Sequence, residues 1–158
     1  MENRKEWFRL LEQCGITRLE NEFVTLSRGG DTIILAGVDD PNGPRDQKTP
    51  EALLGEVHEQ YPDAYTVVLC HRNDQLERMA RLSADLVLSG HAHGGVVRLP
   101  GIGAVFGTHY ELFPKDTQGL CRSGETAMVV SRGLGGSRRL PIRILNRPEI
   151  PLVILQTQ

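Results

Sequence analysis

Cysteine is scarce in this chain, and the few present do not pair. Cys14, Cys70 and Cys121 are odd in number and far apart, with no CxxC among them, which argues against a disulfide framework and a zinc ribbon. A reducing compartment is the expected setting. Long apolar runs are also missing: none approaches the ~18 to 20 residues of a membrane span, and the opening Met1-Glu2-Asn3-Arg4-Lys5-Glu6-Trp7 is charged. The chain as written therefore holds no exporting or anchoring segment, and cytoplasmic placement is the default expectation. Charge of one sign is absent too. Eighteen Lys and Arg stand against 20 Asp and Glu, interspersed, so there is no basic face to bind nucleic acid. Arg138 and Arg139 form only a local basic spot.

What is present is a chain of 158 residues with 39% hydrophobic content, enough for a real core and for one compact domain or a large piece of one. Trp7, Leu10, Leu11 and Cys14 recur at helical spacing before Gly15, which predicts an amphipathic helix from about Arg4 to Cys14 with a glycine cap. Its apolar stripe needs a surface to cover. Phe23 to Leu26 and Thr32 to Val38 bracket Arg28-Gly29-Gly30-Asp31, a hairpin signal. Asp39-Asp40-Pro41-Asn42-Gly43-Pro44 then reads as a turn, although Asp39 or Asp40, following a strand, has the alternative of serving as a carboxylate ligand. Thr49-Pro50-Glu51 opens a helix through Leu53, Leu54, Val57 and Tyr61, which Pro62 ends. Tyr65 to Cys70 and Asp85 to Ser89 are apolar strands on either side of a short helix over Asp74 to Leu82, predicting a βαβ unit with parallel pairing.

Both of those strands deliver histidine at their carboxyl ends, His71 after Cys70 and His91 and His93 within Gly90-His91-Ala92-His93-Gly94-Gly95. Ligands of open α/β sheets gather at that edge, and paired imidazoles on glycine-rich backbone suit a metal. His71, His91 and His93 are therefore the candidate metal ligands. His58 and His109 are read as surface or hydrogen-bonded residues. Asn73 and Asp74 are expected to cap the short helix, and Cys70 to act as a small buried hydrophobe rather than a soft ligand. Gly94-Gly95 and Gly133-Leu134-Gly135-Gly136 are read as turns or bulges, with backbone approach to a phosphate as the alternative. Arg98 and Arg132 are candidates for contacting a phosphate or for supporting the ligands from behind, where a carboxylate or a carbonyl is the competing partner for each.

Leu69-Cys70-His71 followed by Gly90-His91-Ala92-His93 resembles the last two motifs of the calcineurin-like metallophosphoesterases. The stretch Asp85 to Gly95, Arg98-Leu99-Pro100, Phe113-Pro114-Lys115, Ser131-Arg132-Gly133-Leu134-Gly135 and Asn146-Arg147-Pro148-Glu149-Ile150 extend the likeness to the bacterial YkuE-like and YaeI-like branch. Gly15-Ile16-Thr17-Arg18-Leu19-Glu20-Asn21-Glu22 is similar to a segment downstream of that family's Gly-Asn-His-Asp/Glu motif. The chain as a whole, 1–158, resembles one partial domain, the C-terminal portion.

The resemblance implies an α/β fold, half of a layered α/β/β/α sandwich, with the βαβ unit and a strand-rich C-terminal part. It also implies phosphoester hydrolysis by hydroxide attack at two divalent metals, with Mn, Fe, Zn or Ni as candidates. His71 and His91 would then bind one metal and His93 the other. The family's Asp-x-His, Gly-Asp and Gly-Asn-His-Asp/Glu motifs do not occur in this sequence. Two cations ~3.5 to 4 Å apart need bridging negative charge, which neutral imidazoles cannot supply. The expectation is an incomplete hydrolase site, inactive as this chain alone, acting on a phosphate ester of unassigned class and partnered by a missing N-terminal half or by self-association. The alternative is a non-catalytic metal-binding or partner-binding remnant, and a metabolite-binding α/β domain has only generic support. The resemblance further implies that full-length relatives are often membrane-anchored or exported.

Overall fold

The computed structural model describes residues 2–43, 47–136 and 142–156, with the side chains of 2–5 left aside. Pro44 of the predicted turn and the Arg138-Arg139 spot lie outside the described residues. Helix α1 (Glu2–Gln13) ends at Gly15, whose backbone is left-handed (φ 70°) and whose N–H bonds the Glu12 carbonyl at 2.9 Å, as a glycine cap requires. Its apolar stripe stays open, with Trp7 62% and Leu10 49% exposed. Strands β1 (Glu22–Arg28) and β2 (Asp31–Val38) form the expected hairpin, turned by Gly29 and Gly30, both at positive φ.

Thr49 caps α2 (Pro50–Gln60), its hydroxyl accepting the Ala52 N–H at 3.2 Å. Strand β3 (Tyr65–Cys70) runs parallel to β2 and to β4 (Leu86–Ser89), joined to β4 through a 3₁₀ turn (Asn73–Gln75) and α3 (Leu76–Arg81). The connection is the predicted βαβ unit, with its helix starting in the tighter turn. A small hairpin, β5 (Val97–Leu99) and β6 (Gly103–Phe106), stands apart from the main sheet. Strands β7 (Gly119–Ser123) and β8 (Thr126–Val130) complete that sheet in the order β1-β2-β3-β4-β8-β7, with the four inner strands parallel and both edges antiparallel. The result is a mixed α/β fold with a strand-rich C-terminal part, consistent with half of a metallophosphoesterase fold. Among the described residues no helix is long and apolar enough to cross a membrane.

Helices α2 and α3 bury Leu53, Leu54, Val57, Leu76 and Met79 against one sheet face, built from Ile34, Ala36, Val68, Cys70, Val87, Met128 and Val130. Strand alternation sends Ile33, Leu35, Tyr65, Val67, Leu69 and Leu88 to the other face. There Tyr65 and Leu69 remain 42% and 38% exposed. Near the carboxyl edge this second face holds a hollow lined by Thr17, Leu19, Leu69, His71 and Leu88.

The two helices are tied by Arg78, whose guanidinium donates twice to the Glu51 carboxylate at 2.7 Å. Those bonds hold Glu51 at about 2, well below an ordinary glutamate. Because the folded pKa is the lower one, the pair's stabilisation is complete above the ordinary glutamate pKa and is lost as pH falls toward 2. Half the Glu51 side chain is exposed, so solvent screening holds this to at most about 1 kcal/mol. Glu51→Gln is expected to lower stability by that amount at pH 7 and by almost nothing near pH 2, measured by urea denaturation at both.

Candidate metal centre

Parallel pairing brings the carboxyl ends of β2, β3, β4 and β8 to one edge, where the chain continues as Asp39, His71, Gly90 and Ser131. The ladder runs on past the strands. The Gly90 N–H donates to the His71 carbonyl at 3.1 Å, the Ser89 hydroxyl donates to the same carbonyl at 3.1 Å, and the Ser131 N–H donates to Ser89 at 2.9 Å. His71 and the start of the His91 loop are thus fixed to each other by backbone.

The loop itself is unusual in its dihedrals. His91 (φ 63°), His93 (φ 51°), Gly94 (φ 74°) and Gly95 (φ 84°) are all left-handed. For a side-chain-bearing residue this conformation costs about 1–2 kcal/mol, so the surroundings must hold it in place. Asn146 Nδ2 donates to the carbonyls of His93 and Gly95 at 2.8 and 2.7 Å, and Arg143 donates to the His93 carbonyl at 3.2 Å. Arg143 also bonds the carbonyls of Arg132, Gly133 and Gly135, clamping the segment after β8 to the same loop. Asn146 Oδ1 is buried against Gly94 and has no hydrogen-bond partner among the described residues.

The imidazoles gather above this frame. The His71 and His91 rings meet edge to face with centroids 5.2 Å apart. Burial, followed by the charges of Arg72, His71 and His109, pushes the His91 pKa down. Burial and the Arg143 charge do the same to His93, opposed by its hydrogen bond to the Gly135 backbone. Neutral imidazole is the form that ligates metal, so this donor chemistry fits a transition-metal site. The fit is partial: among the described residues no three His, Cys, Asp or Glu side chains are arranged to enclose an ion.

His109, read from its position as a surface or hydrogen-bonded residue, belongs to this cluster. It is exposed, yet its ring stacks on His91 at 5.4 Å between centroids and 26° between planes, with the two Nε2 atoms 3.3 Å apart. Fifteen residues, including the β5–β6 hairpin, separate it from His93, and no local spacing signals the meeting. His58 stays on the last turn of α2, beside Tyr65 and Asp85 at the amino-terminal edge of β3 and β4, opposite the edge that carries the cluster.

Other candidates are occupied. Asp39 Oδ2 accepts the Asn21 amide at 3.0 Å while the Asp39 N–H donates to Asn21 Oδ1 at 3.1 Å. Asp40 makes the expected turn, accepting the N–H groups of Asn42 and Gly43 at 2.9 and 2.8 Å. The expected cap at Asn73 and Asp74 does not form. Arg72 donates to the Asp74 carboxylate at 3.1 and 2.6 Å, an ionic fork that outcompetes a backbone cap and holds Asp74 at about 2. Cys70 is buried, and burial raises its thiol pKa, as befits a small hydrophobe. Arg98 is buried and donates to the Gly94 carbonyl at 2.7 Å and to Thr117 at 3.3 Å. Arg132 donates to Glu149 at 2.8 and 2.6 Å. These are the carbonyl and carboxylate partners weighed for the two arginines.

The chain is 33% identical over 150 residues to the uncharacterized metallophosphoesterase YkuE of Bacillus subtilis, covering 94% of this chain and 49% of that protein. It is 30% identical over 147 residues to the phosphodiesterase YaeI of Escherichia coli, covering 92% and 49%. It is 30% identical over 150 residues to the UDP-2,3-diacylglucosamine pyrophosphatase LpxG of Chlamydia trachomatis, covering 91% and 43%. The chain therefore spans about half the length of the curated relatives it matches. No protein-family model and no solved structure matches it.

Two glycines in this region separate backbone need from crowding. A methyl at Gly94 would sit 2.6 Å from Arg132 Cγ and 2.7 Å from Asn146 Oδ1, whereas Gly101, also left-handed (φ 76°), has open space around it. Gly101→Ala should cost about 1 kcal/mol, and Gly94→Ala about 1–3 kcal/mol more through overpacking. Paired denaturation curves check the difference.

Proposed function

This chain resembles the C-terminal half of the calcineurin-like metallophosphoesterases, and from that premise we propose that it contributes the histidine-bearing half of a metal-dependent phosphoester hydrolase. One observation carries the reading: His71 and the left-handed His91–His93 loop stand together where parallel strands end, with His91 and His93 biased toward neutral imidazole. His71 and His91 would hold one divalent ion and His93 a second. When bound, the metals supply the Lewis acidity that polarises a phosphoryl group and brings the pKa of water from 15.7 toward ~7. Imidazole donors accept Mn, Fe, Zn or Ni, and availability selects among them.

This chain's own contribution is nitrogen donors on a rigid support. Asn146 and Arg143 hold the His93 carbonyl, and Arg98 and Arg132 hold Gly94 and the segment after β8 in our reading, rather than contacting phosphate directly. Asp74 is neutralised by Arg72 and Asp39 is turned toward Asn21, so the reading takes the bridging negative charge from elsewhere. The part of the relatives that this chain does not span is its natural source. The apolar second sheet face, which reaches His71 through the hollow beside Leu69, offers that segment or a second copy of this chain a place to pack. The second reading is a metal-binding or partner-binding remnant without catalysis, favoured by the absence, among the described residues, of three His, Cys, Asp or Glu side chains placed to enclose an ion.

Two measurements test the proposal. The chain alone, assayed on an aryl phosphate with added manganese, is expected at background rate. Turnover that disappears in His91→Ala would show that these residues suffice and would overturn the incomplete-site reading. Elemental analysis after dialysis against zinc or manganese is expected to find bound metal in the wild type and less in His91→Ala; equal, background metal in both would overturn the metal assignment.

A further inference from the structure

We infer that His109 is a further imidazole of this site and that, paired with His91, it forms a two-nitrogen clip for a divalent transition-metal ion. The inference rests on the metal reading above and extends it to a residue outside the two histidine motifs.

The nitrogen separation is the main argument. Two imidazole nitrogens each about 2.0–2.1 Å from one zinc at a tetrahedral angle lie about 3.3–3.4 Å from each other. His91 Nε2 and His109 Nε2 are 3.3 Å apart. As a hydrogen bond that distance is long. It equals the spacing of two nitrogens on the edge of one coordination sphere. The His71 ring, 5.2 Å from His91 on its other side, adjoins the pair, so three imidazoles line one short arc.

The loop that carries His109 is built rather than loose. Glu111 accepts the His109 N–H through its carboxylate at 2.8 Å, and its carbonyl accepts the Gly107 N–H at 2.9 Å. The Phe113 N–H returns to Val105 at 3.1 Å. The Glu111 carboxylate lies over Gly107, in the space a side chain there would occupy. The loop is thereby closed on itself with His109 at its tip, facing His91.

Arg72 is the cation that acts most strongly against positive charge at His91, and its guanidinium is engaged by the Asp74 carboxylate at 3.1 and 2.6 Å. Asp74 itself acts on His91 with the sign that favours positive charge. Nitrogen donors without thiolate select borderline ions such as zinc, cobalt or nickel over magnesium or calcium.

The test is a cobalt titration of the full chain followed by visible absorption, with zinc competition to confirm the site. Wild type is compared with His91→Ala, His109→Ala, His109→Gln and His58→Ala, and circular dichroism verifies folding of each. Affinity is expected to fall at least about tenfold in His91→Ala and in both His109 variants, with His58→Ala unchanged. His109→Gln matters because it keeps a hydrogen-bond donor toward His91 while giving up the imidazole ligand. Weakening in His91→Ala alone would overturn the role of His109 and leave the metal reading standing. Recovery of wild-type affinity in His109→Gln would reduce His109 to a hydrogen-bond partner and overturn the clip. No cobalt or zinc uptake by the wild type would overturn both.

Discussion

The constraint on which this structure turns is a stretch of backbone that would not hold its shape alone. Within five residues, His91, His93, Gly94 and Gly95 all take left-handed dihedrals. For the two histidines together that is about 2–4 kcal/mol of unfavourable conformation. Offsetting it are hydrogen bonds from residues some fifty positions later, Asn146 and Arg143, which capture the carbonyls of His93 and Gly95. Much of the C-terminal segment is explained by this need. Arg132 is fixed by Glu149, the Gly133 carbonyl accepts the Glu149 N–H at 3.0 Å, and Arg98 reaches the Gly94 carbonyl from the small hairpin. Left-handed side-chain-bearing residues occur elsewhere too, at Tyr110, Phe113 and Asp116; at His91 and His93 remote partners hold them, as expected where side chains must be aimed rather than merely accommodated.

Local chemistry made a large share of this legible in advance. Helical spacing before Gly15, the Gly29-Gly30 turn, the Thr49-Pro50 start and the two apolar strands each encode their own geometry within a few residues, and each is realised. The convergence of His71 with His91 followed from parallel strands alone. What escaped reading depends on contacts between distant segments. Asp74 looked like a cap because its neighbours permit one, and Arg72 took it instead. For Arg98 and Arg132 a carbonyl or carboxylate partner was legible as the alternative to phosphate, but not that Gly94 and Glu149 supply it. His109 is the sharpest case, since only the path of the β5–β6 hairpin and the Glu111-closed loop brings it to His91.

The same contrast separates the two faces of the sheet. One face is finished: α2 and α3 seal Ile34, Val68, Val87 and Met128 so fully that these side chains have no exposure. The other leaves Tyr65 and Leu69 partly in water, and α1 shows Trp7 and Leu10 to solvent. Val67 and Leu86 on that face are already buried, and the exposed Tyr65 and Leu69 on a chain that matches about half of each relative mark a surface a second layer would cover.

Position and charge then point the same way. The histidines occupy the rim where the open face ends, so whatever packs on that face arrives beside His71. A site made of neutral nitrogens attracts one borderline divalent ion readily but does nothing to reduce the repulsion between two, which at ~3.5 to 4 Å demands bridging anionic oxygen. The nearby carboxylates have been drawn into local pairs, Asp39 with Asn21 and Asp74 with Arg72. A donor set rich in imidazole and poor in carboxylate is therefore suited to holding the first ion, and the layer that closes the apolar face is the one positioned to bring the charge a second would need.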